Sequence, residues 1–233
     1  MKPKINIYLI ALGFLTGLFI FPHFVSCRHD DVVPPTGGGS NGSNIQRGDA
    51  AIGPLYNDGG KTTFDKAHSS VNWSTPYLGE LAVLTGKFNT FGFNSFNFAE
   101  STPDSIYFEG YVWLNTVNTG EPGRDGGCLL GTFGTTADAT DEESNLAIIK
   151  STKVEFSTTD KGYIVTADFT FHGVTKSLSA KMDYVGKTDS GDNEVYGFTL
   201  KFSILAISDF GIESTSIADN VDISCSANFK YTP

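Results

Sequence analysis

From Lys61 to the C-terminus, apolar and polar residues alternate with a period of two, and this alternation limits the possible folds more than any other feature of the chain. Successive side chains of a strand point to opposite faces, so each alternating run marks one face for burial. No window in this stretch has the roughly 3.6-residue spacing of an amphipathic helix. "HSSVNWST" sets Val71, Trp73 and Thr75 on one face. "LTGKFNTFGFNSFNF" holds Leu84, Gly86 and Phe88 in one parity and Phe91 and Phe93 in the other, which predicts a bulge or sharp bend near Thr90 to Gly92. "DSIYFEGYVWLNT" aligns Ile106, Phe108, Gly110, Val112 and Leu114. "LAIIKSTKVEFS", "GYIVTADFTF", "KSLSAKMDY", "EVYGFTLKFSIL" and "NVDISCSANFKY" complete the series.

Eight such runs, joined mostly by short turns and without helical crossovers, predict an all-β fold: an eight-stranded antiparallel up-and-down barrel, lipocalin-like. Closure removes exposed strand edges, and eight strands are about the fewest that can surround one small ligand. A β-sandwich is the competing architecture.

The N-terminus reads differently. "MKPKINIYLIALGFLTGLFIFPHFVSC" carries Lys2 and Lys4 ahead of an apolar run and ends on a small residue and a cysteine, the pattern of a secretory signal. On length alone Ile5 to Val25 could also span a membrane. "FVSC" resembles the lipobox of bacterial lipoproteins, with Phe24 where Leu is usual, and this implies that Cys27 is the lipid-modified first residue. Residues 28–60, which include "RHDDVVPPTGGGSNGSN", have the composition of a flexible tether. By analogy with lipoprotein sorting, Arg28 after the cysteine and the Asp30-Asp31 pair point to the outer membrane, on its periplasmic or surface face. Residues 61–233 form the folded domain, long enough for a single core.

Composition narrows the function. The net charge is −10, with 26 acidic against 16 basic residues and no basic cluster, so the electrostatic footprint of nucleic-acid binding is missing. His68 and His172 have neither HxH nor HExxH spacing, and residues 61–233 contain no GxSxG elbow, no P-loop, no GxGxxG after a strand and before a helix, and no CxxC. No catalytic residue, metal site or cofactor is expected, and the chain reads as a non-enzyme. Asp138, Asp141, Glu142 and Glu143 lack the spacing of an EF-hand and are expected in a solvated loop. His68 is expected to hydrogen-bond across to a neighbouring strand, and His172 to sit in a turn with Gly173. Cys128 and Cys225 could bridge in an oxidising compartment or remain two small hydrophobes.

Aromatic residues are the abundant resource, at 13% of the chain with 19 Phe. A barrel interior that such side chains do not fill is an apolar cavity suited to a small ligand. The candidate lining is Trp73, Phe88, Phe108, Val112, Phe169, Phe171, Phe202 and Phe229. In the alternative reading, Tyr107, Tyr111 and Trp113 form an exposed aromatic patch for adhesion or another surface interaction, with no small-molecule ligand.

An ordered set of motifs resembles the YceI-like domain family. "FDKAHSSVNWS" is similar to its D-x-x-H-S opening, "LTGKFNTFGFNSFNF" to its G-x-F strand, and "LNTVNTGEPGRDGGCL" to its S-I-D-T-G…R-D segment, with Asn118 where Asp is usual. "IIKSTKV", "ADFTFHGVTKSLSAKMDY", "SILAISDFGI" and "IADNVDISCSANF" resemble its later elements, with Ile207 replacing the Arg of R-S-D-F-G. The resemblance runs from Phe64 to Phe229. It implies a barrel in the cell envelope that binds a polyisoprenoid or similar long amphiphile and often forms homodimers.

Overall fold

The structure, a computed structural model, describes residues 61–98, 106–135, 138, 141–214 and 217–232. The signal ending at Cys27 and the tether of residues 28–60 lie outside the described residues. Eleven strands run through the described part: β1 (Thr62–Phe64), β2 (Ser70–Tyr77), β3 (Ala82–Phe88), β4 (Phe91–Asn97), β5 (Tyr107–Trp113), β6 (Val117–Asn118), β7 (Leu146–Ser157), β8 (Gly162–Phe171), β9 (Val174–Ser190), β10 (Asn193–Leu205) and β11 (Asn220–Tyr231). Helical segments are limited to single turns and one short stretch at Arg124–Thr132.

All strand pairs are antiparallel, in the order β4-β5-β7-β8-β9-β10-β11-β2-β3-β6, with β1 also on β11. The two ends of this path are parts of runs already in it. β3 continues into β4 through Asn89 and Thr90, and β5 continues into β6 through a 3₁₀ turn at Leu114–Thr116. These bent runs stay paired along their length. Phe88 faces Val117 and Phe91 faces Val112, and between them the Asn89 N–H donates to the Thr116 carbonyl at 3.0 Å and the Trp113 N–H to the Thr90 carbonyl at 2.9 Å. The curled sheet therefore returns on itself. Counting β1–β2, β3–β4 and β5–β6 as bent staves beside the five strands β7 to β11 recovers the expected eight.

The bend also explains the phenylalanines of β3 and β4. Parity flips once at Asn89–Thr90 and again at a bulge where Asn94 is the extra residue, so Phe88, Phe91, Phe93 and Phe96 can all face inward. A second bulge leaves Thr152 unpaired in β7, and a third leaves Val185 unpaired in β9.

The barrel has two distinct ends. The upper end carries the β2–β3 turn, the connection from β6 to β7, the β8–β9 turn and the β10–β11 loop. The lower end carries the β7–β8 and β9–β10 turns and both ends of the domain, where the Thr232 N–H donates to the Lys61 carbonyl. One expectation is corrected, and one alternative left open is decided. The acidic stretch near Asp141 keeps Asp138 and Glu143 exposed, as expected of a solvated segment, but it is not all loop: the Asp141 carboxylate accepts from the Ser144 N–H and caps a helical turn at Glu142–Asn145. Cys225 is a free cysteine, so it forms no bridge to Cys128.

Candidate functional site

Two motifs at the start of the domain are fixed by hydrogen bonds. Asp65 caps the 3₁₀ turn Lys66–His68, accepting from the Ala67 and His68 N–H groups and from His68 Nδ1 at 2.7 Å. Burial alone would raise the Asp65 pKa, but the hydrogen bonds and charge of His68 outweigh it and hold the carboxyl below its usual 3.8. The cross-strand contact expected of the His68 ring is made instead by Ser69, whose Oγ accepts from the Asn228 N–H at 2.9 Å and donates to the Asp65 carbonyl at 2.6 Å. The histidine ring closes its own turn, and the serine attaches the turn to β11.

His172 is exposed in a two-residue turn with Gly173, both at positive φ (53° and 72°), the conformation of a type I′ hairpin. It packs beside Gly134 of the connection from β6 to β7, and its ring lies 6.4 Å from that of Phe171. His68 and His172 sit toward opposite ends of the barrel. Among the described residues, no three His, Cys, Asp or Glu side chains are grouped to hold a metal ion.

The inward faces of the strands enclose a cavity of about 130 Å³. Seven of the eight aromatic and aliphatic residues singled out in the sequence line it: Trp73, Phe88, Phe108, Val112, Phe169, Phe171 and Phe202. Phe229 does not, because it is fully buried beneath a floor of rings, with centroids 5.4 Å from Phe64, 5.4 Å from Phe93, 4.6 Å from Phe96 and 5.8 Å from Phe198. Those four form the inner surface of the floor in its place. Among the described residues, Ser70, Thr75, Thr199 and Ser226 are the polar ones that reach the lining along with Tyr111 and Cys225, and no charged side chain does.

Local geometry sets the walls. Trp73 on β2 lies directly opposite Gly86 on β3, and a methyl group at Gly86 would fall 2.5 Å from the indole Cζ2. Glycine is therefore what lets the ring lie against the strand, and it accounts physically for the G-x-F pattern at Gly86–Phe88. The indole meets Phe133 edge to face, with centroids 6.0 Å apart, and its buried Nε1–H has no hydrogen-bond partner among the described residues. Phe133 comes from the connection between β6 and β7 and also touches Phe88 at 6.1 Å. That connection is held by the buried Asp125, which accepts from the Thr119 N–H at 3.0 Å and the Thr119 Oγ1 at 2.6 Å. The R-D segment of the resemblance thus works as a loop clamp.

Sequence reasoning missed Phe133, because no periodic run contains it, and also missed Ile212 and Ile217 of the β10–β11 loop, which line the cavity from above. Phe210 of that loop packs on Phe169 at 5.6 Å and Phe171 at 5.5 Å. On the lower half of the wall, no backbone pairing among the described residues joins β4 to β1, and the seam is filled by Phe64 against Phe91 at 6.1 Å and Phe93 at 5.1 Å. The exposed patch weighed in the sequence does not form: Tyr111 is buried, and Tyr107 and Trp113 are half-buried. Cys225 faces the cavity from β11, and burial pushes its thiol up to about 12.

A sequence profile described as the YceI-like domain matches residues 63–229. The chain belongs to the YceI-like domain family. It is 32% identical over 161 residues to a UPF0312 protein of Vibrio parahaemolyticus, an alignment that covers 67% of this chain and 79% of the relative. In fold it is similar to the crystal structure of Burkholderia cenocepacia BcnA, at a TM-score of 0.53 and 15% identity, covering 71% of this chain and 98% of the other. It is likewise similar to the Campylobacter jejuni YCEI protein, at a TM-score of 0.50 and 21% identity, covering 64% and 86% of the two chains. The order of motifs from Asp65 to Phe229 thus corresponds to a family domain occupying nearly all of the described residues.

Proposed function

We propose that this YceI-like domain binds the apolar chain of a polyisoprenoid or similar long amphiphilic lipid inside its barrel, as a carrier or sequestering module and without catalysis. The observation that supports this reading is that, among the described residues, no charged side chain lines the cavity. Such a site offers the hydrophobic effect and shape, which suit a hydrocarbon chain and give no grip to a charged metabolite. A five-carbon prenyl unit carries roughly 4 kcal/mol of transfer free energy before the costs of binding.

The size of the cavity sets a condition. At about 130 Å³ it is close to the engineered apolar cavity of roughly 150 Å³ that takes one benzene, so it admits about one prenyl unit. A longer chain has to displace rings. The half-buried Phe91 and Phe93 at the seam and Phe133 at the upper end are the side chains placed to give way. In the same proposal, Cys27 carries the acyl chains that hold the protein to the envelope, on the periplasmic or surface face of the outer membrane. Pairing of two copies belongs to this reading as the family resemblance implies it.

Organic extraction of the purified protein followed by mass spectrometry is the direct test, with titration of a fluorescent prenyl probe alongside. A co-purifying prenyl or fatty lipid, or saturable uptake of the probe, is the expected result. Protein that carries no lipid and takes up no probe would overturn the proposal.

A further inference from the structure

Six large apolar side chains are exposed around the upper end of the barrel: Leu78, Leu81 and Val83 of the β2–β3 hairpin, Val174 after the β8–β9 turn, and Leu205 and Ile207 at the β10–β11 loop. Leu81 is 86% and Val83 67% exposed. Only Phe156 and Val185 are comparable elsewhere among the described residues, and each stands apart from this group. The three segments form one surface. Tyr77 bridges to Ile217, the Ala218 N–H donates to the Pro76 carbonyl at 3.0 Å, and Lys176 Nζ lies 3.4 Å from Asp209 Oδ1.

We propose that this end of the barrel docks onto the surface of a lipid bilayer, with the β2–β3 hairpin inserting first, and that lipid passes between membrane and cavity there. The inference rests on the reading of the cavity as a lipid site.

Three observations favour a bilayer over a protein partner. The first is continuity with the cavity. The loop behind the exposed tips supplies Ala206, Ile212 and Ile217 to the lining, so a hydrocarbon chain entering at this end meets apolar surface along its path. The second is area. The six side chains expose on the order of 500 Å², short of the roughly 800 Å² per partner of a standard protein interface, and they do so as protruding turns. The third is the hairpin itself. Leu78 and Glu80 flank Gly79 with all three at positive φ (48°, 81° and 69°), a conformation that glycine, asparagine or aspartate adopts at least cost. A leucine there is strained, and it is also exposed to water, which is compensated where its side chain enters hydrocarbon. Attraction to anionic headgroups plays no part, since the chain's net charge is −10. The insertion is apolar and is expected on neutral lipid. Lys61 and Thr232 both lie at the lower end, so neither end of the described domain stands at the docking surface.

The test uses the full chain with vesicles of phosphatidylcholine, part of it brominated in the acyl chains. Leu81→Trp should add emission that the brominated lipid quenches, and Asp192→Trp, at the lower end, should add emission that it does not. The double variant Leu81→Asp/Val83→Asp should take up a prenyl probe from dilute solution as well as the original chain does, yet collect it from vesicles about tenfold more slowly, because its tips no longer enter the interface. Equal quenching at both positions, or none at position 81, would overturn the docking proposal and leave probe binding intact. Failure of every form to take up the probe from solution would instead remove the underlying reading of the cavity. A dimer of the original chain that the double variant abolishes, with no lipid quenching, would assign the surface to a second copy and overturn the bilayer.

Discussion

Gly86→Ala gives a sharp test of how the barrel wall is built. The added Cβ would lie 2.5 Å from Trp73 Cζ2, 2.6 Å from Cε2 and 2.8 Å from Nε1, whereas carbon atoms in contact prefer about 3.5–4.0 Å. The ring or the strand must move by about 1 Å. The ring is not free to do so, because its far edge rests on Phe133 and Trp73 is only 5% exposed. Overpacking of this kind costs about 1–3 kcal/mol. An opposing term of about 0.4–1 kcal/mol comes from the reduced freedom of the unfolded chain when glycine becomes alanine. Overpacking wins, leaving a net loss of roughly 1–2 kcal/mol. At about 2–4 °C per kcal/mol for a domain of this size, the melting temperature should fall by roughly 2–8 °C. Thermal unfolding followed by circular dichroism measures this, and a double-mutant cycle with Trp73→Leu isolates the cause. In the Trp73→Leu background no ring lies over position 86, so the same substitution should be neutral or slightly stabilising. An equal loss in both backgrounds would show that Gly86 is needed for its backbone and not for the indole, and the reasoning would fail.

Other positions separate the cavity from its surroundings. His172→Ala should leave prenyl-probe uptake unchanged, whereas Phe169→Asp, which puts a carboxylate into the lining, should abolish uptake or unfold the domain; loss of uptake in a folded His172→Ala protein would reverse the assignment of that turn. Phe229→Ala should cost about 3–5 kcal/mol as a core truncation and still deepen the cavity through its floor, so that longer probes bind relative to short ones, and an unchanged length preference would refute the floor. The Cys225 thiol, pushed up from 9.0 to about 12, should alkylate roughly a thousandfold more slowly at pH 8 in the native protein than after unfolding, as read by peptide mass spectrometry. At the upper end, Asp219 accepts from the Ser208 hydroxyl, the Ser208 N–H at 2.9 Å and the Ile207 N–H at 2.8 Å, and the Ser208 hydroxyl is the largest cause holding its carboxyl below 3.8. A depressed carboxyl contributes its stability above the unfolded value and loses it as pH falls through the lower native one. Hydrogen exchange at Ile207 and Ser208 should therefore be protected above about pH 4, lose protection as pH falls through the lowered native value, and be unprotected throughout in Asp219→Ala, which removes the accepting oxygen.

Most of the architecture was legible because alternation reports burial directly. The runs "GYIVTADFTF" and "NVDISCSANFKY" coincide with β8 and β11. The parity break between Phe88 and Phe91 announced the bend that lets two bent staves close the sheet. Other features stayed hidden for identifiable reasons. β1 is only three residues long, Thr62 to Phe64, too short to display a period. β9 extends to Ser190 because its lower part projects past the barrel with exposed residues on both faces, which erases the alternation that marks its upper part. The alternative of an exposed aromatic patch failed at Tyr111, which is buried although its parity is opposite to that of Phe108 and Val112.

The site was only half legible, and the reason lies in the barrel itself. Inward parity identifies the strand residues that face the barrel interior, but it cannot tell a side chain that touches the cavity from one that merely supports it. Phe169, Phe171 and Phe229 all face inward, and only the first two line the space. The difference is where the rings fall along the barrel axis. In the lower half Phe64, Phe93, Phe96, Phe98, Phe198 and Phe229 meet ring to ring and leave no room, and Tyr184 adds to them beside Phe98 at 4.8 Å. Higher up, Ala147 opposite Val112 and Ala206 just past the end of β10 intervene among the aromatics, and the strands are held too far apart by their pairing to close over such small residues. Space remains where small side chains face large ones across a fixed sheet. The position of the cavity is therefore set by the register between strands, which depends on every turn and bulge together and not on any one run of residues.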